Sequence, residues 1–203
     1  MRLPAAERRA QLLRIATDEF AAHGFHNTSM NVIAEAAGVT KPVLYQHFAS
    51  KRGLYLELLA ELGADLRETI AKATADASGP RQMIELGFDA YFSYVEGNAN
   101  AFRVLFGAGT RRDEEFAEAV RRVEASIAEL AAELIDVPGL SFERRRLLGN
   151  GIVGLAEGAC RYWLANQVDV DAHTLAKEVA GLAWAGLRGI RTEGEAAESA
   201  EVG

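Results

Sequence analysis

Cysteine is nearly absent. Cys160 stands alone among 203 residues, which excludes an internal disulfide framework and the usual zinc sites built from several thiolates, and suits a reducing compartment. Proline is almost as scarce, with 4 residues, so few positions break a helix, and the chain is rich in the helix formers Ala, Leu, Glu and Arg. An all-α fold is expected. No apolar stretch approaches the roughly 20 residues of a membrane span; the longest runs only from Val179 to Leu187. Residues Met1 to Ala10 carry arginines but no apolar signal core, so a cytoplasmic protein without a membrane segment is expected. Constellations for catalysis are missing too: no nucleophile with a base, no carboxylate pair and no phosphate loop stands at usable spacing. The chain reads as a non-enzyme without cofactor or metal. Asp169, Asp171 and His173 resemble metal ligands in print, but Asp171 is better placed to cap the last helix. Positive charge is also in short supply, at a net −7, yet the first 60 residues hold 7 Lys+Arg against 5 Asp+Glu. Any contact with nucleic acid belongs to that end.

What is present there is a series of short helices. From Ala6 to His23, Leu12, Leu13, Ile15, Ala16 and Phe20 recur at three- and four-residue spacing, and Gly24 follows as a terminating glycine. Thr28 or Ser29 caps a second helix carrying Met30, Ile33, Ala34 and Ala37, which ends at Gly38. Thr40 caps a third, with Pro42 in its first turn, reaching about Phe48. Ser50 then caps a long fourth helix with Leu54, Leu58, Leu62 and Leu66 along one stripe. Two short helices joined by a tight glycine turn form the helix-turn-helix pattern, with the small Ala34 permitting a close crossing and Ile33, Val39, Leu44 and Phe48 filling the wedge. The same spacing also fits a plain three-helix bundle.

Residues Thr28 to Tyr55, TSMNVIAEAAGVTKPVLYQHFASKRGLY, with Phe20, Gly24 and Phe25 before them, strongly resemble the TetR family of transcriptional regulators. Chemistry assigns roles along this stretch. Thr40, Lys41, Val43 and Gln46 are placed to meet base edges, Lys41 as a donor to guanine and Val43 against a thymine methyl. Tyr45, His47 and Lys51 carry donors for phosphate oxygens, joined by the helix N-termini at Thr28 and Lys51. The resemblance implies DNA contacts from Thr28, Thr40, Lys41, Pro42, Val43, Tyr45, His47 and Lys51; Ser29 and Gln46 complete the candidate set. As a phosphate ligand, Lys51 is expected to contribute about one unit to the slope of the salt dependence.

Beyond Leu62, punctuation at Ser78-Gly79-Pro80, Gly97-Asn98, 107–110, Val137-Pro138-Gly139 and 167–171 predicts five more helices. Phe116, Val120, Val123, Ile127, Leu130 and Leu134 form one packing seam. Gly154 and Gly158 lie a turn apart, as do Gly181, Ala185 and Gly189. These small-residue strips suit close packing of two helices against their symmetry mates in a homodimer, and the family is expected to dimerise through its last two long helices. Phe88, Tyr91, Phe92, Tyr94, Phe102, Phe106, Trp163 and Trp184 concentrate aromatic surface suited either to an apolar pocket or to plain core. Phe88, Tyr91, Phe92, Phe102, Phe106 and Trp163 are the pocket candidates. Arg103 or Glu157 is placed to hold a polar ligand group or to be a paired structural charge, and Cys160 reads as a small buried hydrophobe.

The expected organisation is a helix-turn-helix DNA-binding domain over 1–55, a helical ligand-binding and dimerisation domain over 56–192, and an acidic flexible tail over 193–203. The expected function is a dimeric regulator that binds a near-palindromic double-stranded operator and is released by an unidentified, largely apolar small-molecule effector. An activator with the same binding mode, and a DNA-independent helical adaptor, are the alternatives.

Overall fold

A computed structural model describes residues 4–135, 137 and 139–190; the expected acidic tail lies outside the described residues. Among these there are helices and no strands: α1 (Ala5–Asn27), α2 (Met30–Ala36), α3 (Lys41–His47), α4 (Lys51–Thr74), α5 (Pro80–Gly97), α6 (Ala99–Phe106), α7 (Ala108–Arg112), α8 (Glu114–Leu134), α9 (Phe142–Asn166) and α10 (Ala172–Arg188). Six helices follow α4, not five. The extra one, α7, occupies the segment whose glycines read as a break. Its turn is held because the buried Thr110 hydroxyl bonds the Val104 carbonyl at 2.7 Å and the Tyr55 hydroxyl at 2.6 Å, an anchorage that local composition does not reveal.

The chain divides into two packed units. Residues through 65 join 98–123 in the first, and 66–97 join the chain from 124 onward in the second. The expected domain boundary at 55 therefore falls inside α4, and residues 98–123 group with the N-terminal helices. Helices α4 and α8 each contribute residues to both units.

In the first unit, Leu12, Ala16 and Phe20 of α1 are buried with Ile33 of α2, Leu44 of α3, Phe48, and Leu54 and Leu58 of α4. Gly38 sits at φ +63°, a left-handed conformation that L side chains avoid, and the turn closes as the Val39 N–H donates to the Ala34 carbonyl at 2.9 Å. This fixes α3 across α2. Gly24, at φ +75°, interrupts the α1 ladder. Phe25 beyond it folds into an aromatic cluster with Phe20, Tyr55 and Phe116, centroids 4.6–6.1 Å apart.

The second unit pairs α5 with α10 in opposite directions. At one end the Ala172 N–H donates to Glu96 at 3.2 Å and His173 meets Asp89 at 2.7 Å. Asp171 caps α10 by accepting from the Thr174 N–H at 2.7 Å, and that hydrogen bond helps hold its carboxyl below the usual range. Helix α9 crosses α8 at Gly149, where any side chain would press into the Ala128 carbonyl. At the other end of α9, Gln167 occupies a left-handed cap at φ +49°. Glycine fits that conformation without the Cβ conflict. Gln167→Gly is therefore expected to stabilise the protein by about 1 kcal/mol, read as a higher urea midpoint at unchanged slope; a lower midpoint would disprove strain at this cap.

Candidate DNA-reading face and effector cavity

Helix α3 is anchored by one side and open on the other. Leu44 is fully buried, while Thr40, Lys41, Pro42, Tyr45 and Gln46 are exposed and Val43 and His47 are half-buried. Thr40 occupies the N-cap position, but its hydroxyl makes no capping bond, so the group remains available to an outside partner. The Lys41 ammonium lies 5.9 Å from the centre of the Tyr45 ring, which places a cation and a phenol hydroxyl on the same face. Ser29 is the side-chain cap of α2, accepting from the Val32 N–H at 3.2 Å. These are the groups that the first unit leaves exposed on α3 and at the start of α2.

Two members of the predicted DNA set do something else here. Thr28 is only 1% exposed, and its hydroxyl lies 2.9 Å from the Gly24 carbonyl and 3.2 Å from that of Glu19. It ties the α1–α2 turn and presents no surface to a phosphate. The Lys51 ammonium reaches the carbonyls of Phe25 at 2.7 Å, Thr28 at 2.8 Å and His26 at 3.4 Å, over the Phe25 ring at 4.4 Å. Its three donors match those three acceptors. The sequence reading missed this because the acceptors are main-chain groups 23 to 26 residues away, invisible to side-chain chemistry.

The second unit holds a half-open cavity of about 260 Å³. Its walls come from Ile70 and Thr74 of α4; Met83, Ile84, Gly87, Phe88 and Tyr91 of α5; Ile127, Leu130 and Leu134 of α8; Ile152, Val153 and Ala156 of α9; and Trp184, Leu187 and Arg188 of α10. The lining is overwhelmingly apolar. Thr74 directs its hydroxyl to the Ile70 carbonyl at 2.9 Å, the Tyr91 hydroxyl is sealed from the cavity that its ring lines, and Trp184 and Arg188 are the other wall residues with hydrogen-bonding side chains.

Of the pocket candidates, Phe88 and Tyr91 lie on this wall. Phe92, Phe102, Phe106 and Trp163 do not. Phe92 is fully buried core packed edge-on to Tyr91 and Trp163, and the Trp163 indole donates to the Val170 carbonyl at 2.8 Å. Phe102 and Phe106 pack together within the first unit. Composition counts aromatics but does not give the direction in which each faces. The wall residues it overlooked, such as Ile84, Ile127 and Ile152, carry no signal distinguishing them from ordinary core. Arg103 is an exposed donor to Asn100, and Glu157 pairs with Arg161 at 2.6 Å; neither lines the cavity. Cys160 is fully buried, and burial lifts its thiol to about 12, so it is not a thiolate near neutrality.

Helices α9 and α10 also leave an apolar and small-residue face exposed. Leu147, Tyr162 and Leu182 are 71%, 67% and 63% exposed, and a Cβ built on Gly151, Gly154, Gly158, Gly181 or Gly186 meets nothing within 4 Å. Leu147, Gly151, Gly154, Gly158 and Tyr162 follow one another at three- and four-residue steps along one side of α9. Ala185 is exposed beside Gly181 and Leu182. Gly189 departs from the predicted strip: it lies past the end of α10 as its C-cap, its N–H bonded to Gly186 at 3.1 Å.

A helix-turn-helix with an uncommitted outer face, in a chain whose other unit holds a half-open apolar cavity, defines a DNA-binding transcriptional regulator. The chain belongs to the TetR family of bacterial regulatory proteins. The family model described as bacterial regulatory proteins, tetR family, matches residues 12–58, and that described as tetracyclin repressor-like, C-terminal domain, matches residues 80–186. The HTH-type transcriptional activator FasR of Mycolicibacterium smegmatis is 33% identical over 187 residues, covering 92% of this chain and 85% of its own. Among solved structures, a TetR-like transcriptional regulator from Rhodococcus sp. RHA1 is 28% identical with a TM-score of 0.75, covering 93% of this chain and 100% of its own. The regulator FadR of Bacillus subtilis, solved in complex with stearoyl-CoA, shares the fold at a TM-score of 0.76 and 20% identity, over 90% of this chain and 99% of its own. The protein is thus a sequence-specific DNA-binding transcriptional regulator. Among the described residues, no helix is long and apolar enough to cross a membrane.

Proposed function

We propose that the protein is a cytoplasmic homodimer that binds a near-palindromic operator and leaves it when an acyl-type effector enters the cavity of the second unit. No catalytic step belongs to this reading. The observation that carries it is the state of α3: Leu44 is buried while Thr40, Lys41, Tyr45 and Gln46 stand exposed together, the arrangement a recognition helix needs. The exposed face of α9 and α10 supports dimerisation, since apolar side chains alternate there with glycines that give a partner backbone room to approach. The nearly all-apolar cavity supports an effector with a hydrocarbon body, and the likeness to a regulator solved with stearoyl-CoA accords with that class.

Helix α4 offers the route of coupling, because Ile70 and Thr74 line the cavity while Leu54 and Tyr55 of the same helix are buried in the DNA-binding unit. A ligand that favours one setting of α4 shifts the population between DNA-competent and released dimers, by a coupling of about 1–3 kcal/mol. In this reading ligand binding releases the protein from DNA and relieves repression. The M. smegmatis relative named as an activator favours a second reading, in which the occupied operator recruits transcription; a promoter-fusion assay with and without the protein separates the two.

Fluorescence anisotropy on the DNA flanking the coding region, against scrambled DNA and over a range of salt, tests DNA binding. Selective binding of a dimer is expected, with Lys41→Ala reducing discrimination at one base pair by about 1–3 kcal/mol. Equal weak binding to both DNAs would place the operator elsewhere, and no binding even at low salt would favour the helical-adaptor reading.

A further inference from the structure

Helices α4 and α8 are held together twice inside the first unit. The first hold is a clasp at their starting ends. Arg52, in the first turn of α4, donates from Nη1 and Nη2 to the two carboxylate oxygens of Asp113 at 3.0 and 2.7 Å, and from Nε to Glu115. Its central guanidinium carbon lies over the Phe116 ring, 4.6 Å from the centre. Asp113 also caps α8, since its Oδ1 accepts from the backbone N–H groups of Glu115 at 3.1 Å and Phe116 at 3.2 Å. One carboxylate thus joins the start of α8 to the start of α4. The bonds from Arg52, more than those from the backbone, hold that carboxyl below its usual range, which keeps it ionised near neutrality. The nearby Glu118 pairs with Arg121 and Arg122 instead.

The second hold is a crossing. A Cβ at Gly63 of α4 would collide with the Val123 side chain of α8, so the helices touch there at their closest. Clasp and crossing lie about 16 Å apart along α4 at 1.5 Å per residue. Two holds at that spacing fix a direction, whereas the crossing alone would leave a swivel. Beyond it both helices supply cavity wall in the second unit, Ile70 and Thr74 from α4 and Ile127, Leu130 and Leu134 from α8. An exposed ion pair adds little stability, and Arg52 and Glu115 are half exposed. Three partners gathered on this guanidinium therefore matter more for the direction of the two helices than for the stability of the fold.

We propose that Arg52 is a positioning residue through which the DNA-reading helices and the cavity communicate: by clasping α8 to α4 it makes the two helices one lever. Without the clasp, α4 swivels on α8 at Gly63 and α8 no longer follows it. This role requires DNA binding and no particular effector, so it stands or falls apart from the effector reading. Arg52 is directed at the start of α8 and lines no part of the cavity. Its loss therefore leaves the exposed side of α3 and the cavity wall as they are and removes only the connection between them.

Hydrogen–deuterium exchange of the full chain, free and bound to an operator duplex, tests the lever. In the wild type, DNA is expected to slow exchange in α2 and α3 and, through α4 and the clasp, by about fivefold or more in the cavity-lining part of α8, residues 127–134. Arg52→Met keeps the alkyl packing and removes the donors. It should bind the same duplex within about threefold of the wild type and keep the slowing in α2 and α3, yet lose it at 127–134. Asp113→Ser, which still caps α8 but cannot hold Arg52, should do the same, and thermal unfolding checks that both variants are folded. A wild-type α8 that does not respond to DNA, slowing at 127–134 that survives Arg52→Met, or a loss of DNA affinity beyond about tenfold in that variant would each overturn the proposal. Release of the duplex by stearoyl-CoA, followed by anisotropy in parallel, separates the two ideas. No release from the wild type, with the exchange pattern as expected, would remove that effector class and keep the lever. Release that is undiminished in Arg52→Met would keep the effector and remove the lever.

Discussion

Tyr162→Glu combined with Leu182→Glu is expected to convert the protein to a monomer and to lower its affinity for a full operator by about 10²–10⁴-fold. Both side chains are largely exposed in the single chain, so their replacement costs its fold little, within about 0.5 kcal/mol each. In a twofold-symmetric dimer each substitution appears twice, and four carboxylates would be forced into an apolar interface without partners. The loss on DNA follows from bivalence. A dimer that has docked one recognition helix presents the other at high effective concentration, and a monomer has no such advantage. Binding to an isolated half-site should therefore be nearly equal for the variant and the wild type. Gly158→Leu provides a neutral version of the same test: a side chain there meets nothing in the single chain and improves helix propensity, yet it would fill the space left for the partner. Sedimentation velocity at micromolar concentration reads the outcome. A dimer that persists in both variants would move the interface to another face.

The parts of the molecule legible in the sequence are those where a local rule and the fold agree. Gly24 and Gly38 punctuate the first helices because left-handed turns need them, and both adopt positive φ. Ser29, Ser50 and Asp171 stand where caps are needed, and each accepts the expected backbone N–H. The α8 seam could be read because one face carries Phe116, Val120, Val123, Ile127 and Leu130, all buried. The illegible parts depend on groups distant in the chain. Helix α7 is held by Tyr55, 55 residues upstream of Thr110. The cavity wall is assembled from five helices whose isoleucines and leucines look alike in print. The outward face of α9 was half legible: its glycines drew notice, but Leu147 and Tyr162 stand on the same stripe and identify it better. An exposed aromatic or leucine beside a helix glycine has fewer structural explanations than the glycine alone.

Lys51→Met is expected to weaken binding to every operator by about tenfold or more and to destabilise the protein by about 2 kcal/mol, while leaving the slope of the salt dependence unchanged. The residue type and its place at the start of α4 suggest a phosphate contact, which predicts a slope smaller by about one unit. The geometry argues otherwise. All three donors of the ammonium are directed at carbonyls of the segment between Gly24 and α2, and the Phe25 ring covers it. Methionine keeps most of the alkyl packing and removes the donors, so the three carbonyls lose their partner and the segment loosens. That segment carries the buried Thr28 and leads directly into Ser29, the cap of α2. Since α2 sets the crossing of α3, a looser α1–α2 turn costs order in the reading face and weakens specific and nonspecific binding together, without releasing one counterion fewer. Thr28→Val should act in the same direction, because it deletes the hydroxyl that ties the same turn to Gly24. Salt titrations of the wild type and both variants on one operator separate the mechanisms. Parallel lines displaced to weaker binding support the turn-holding role, and a flatter line for Lys51→Met alone would restore the phosphate contact.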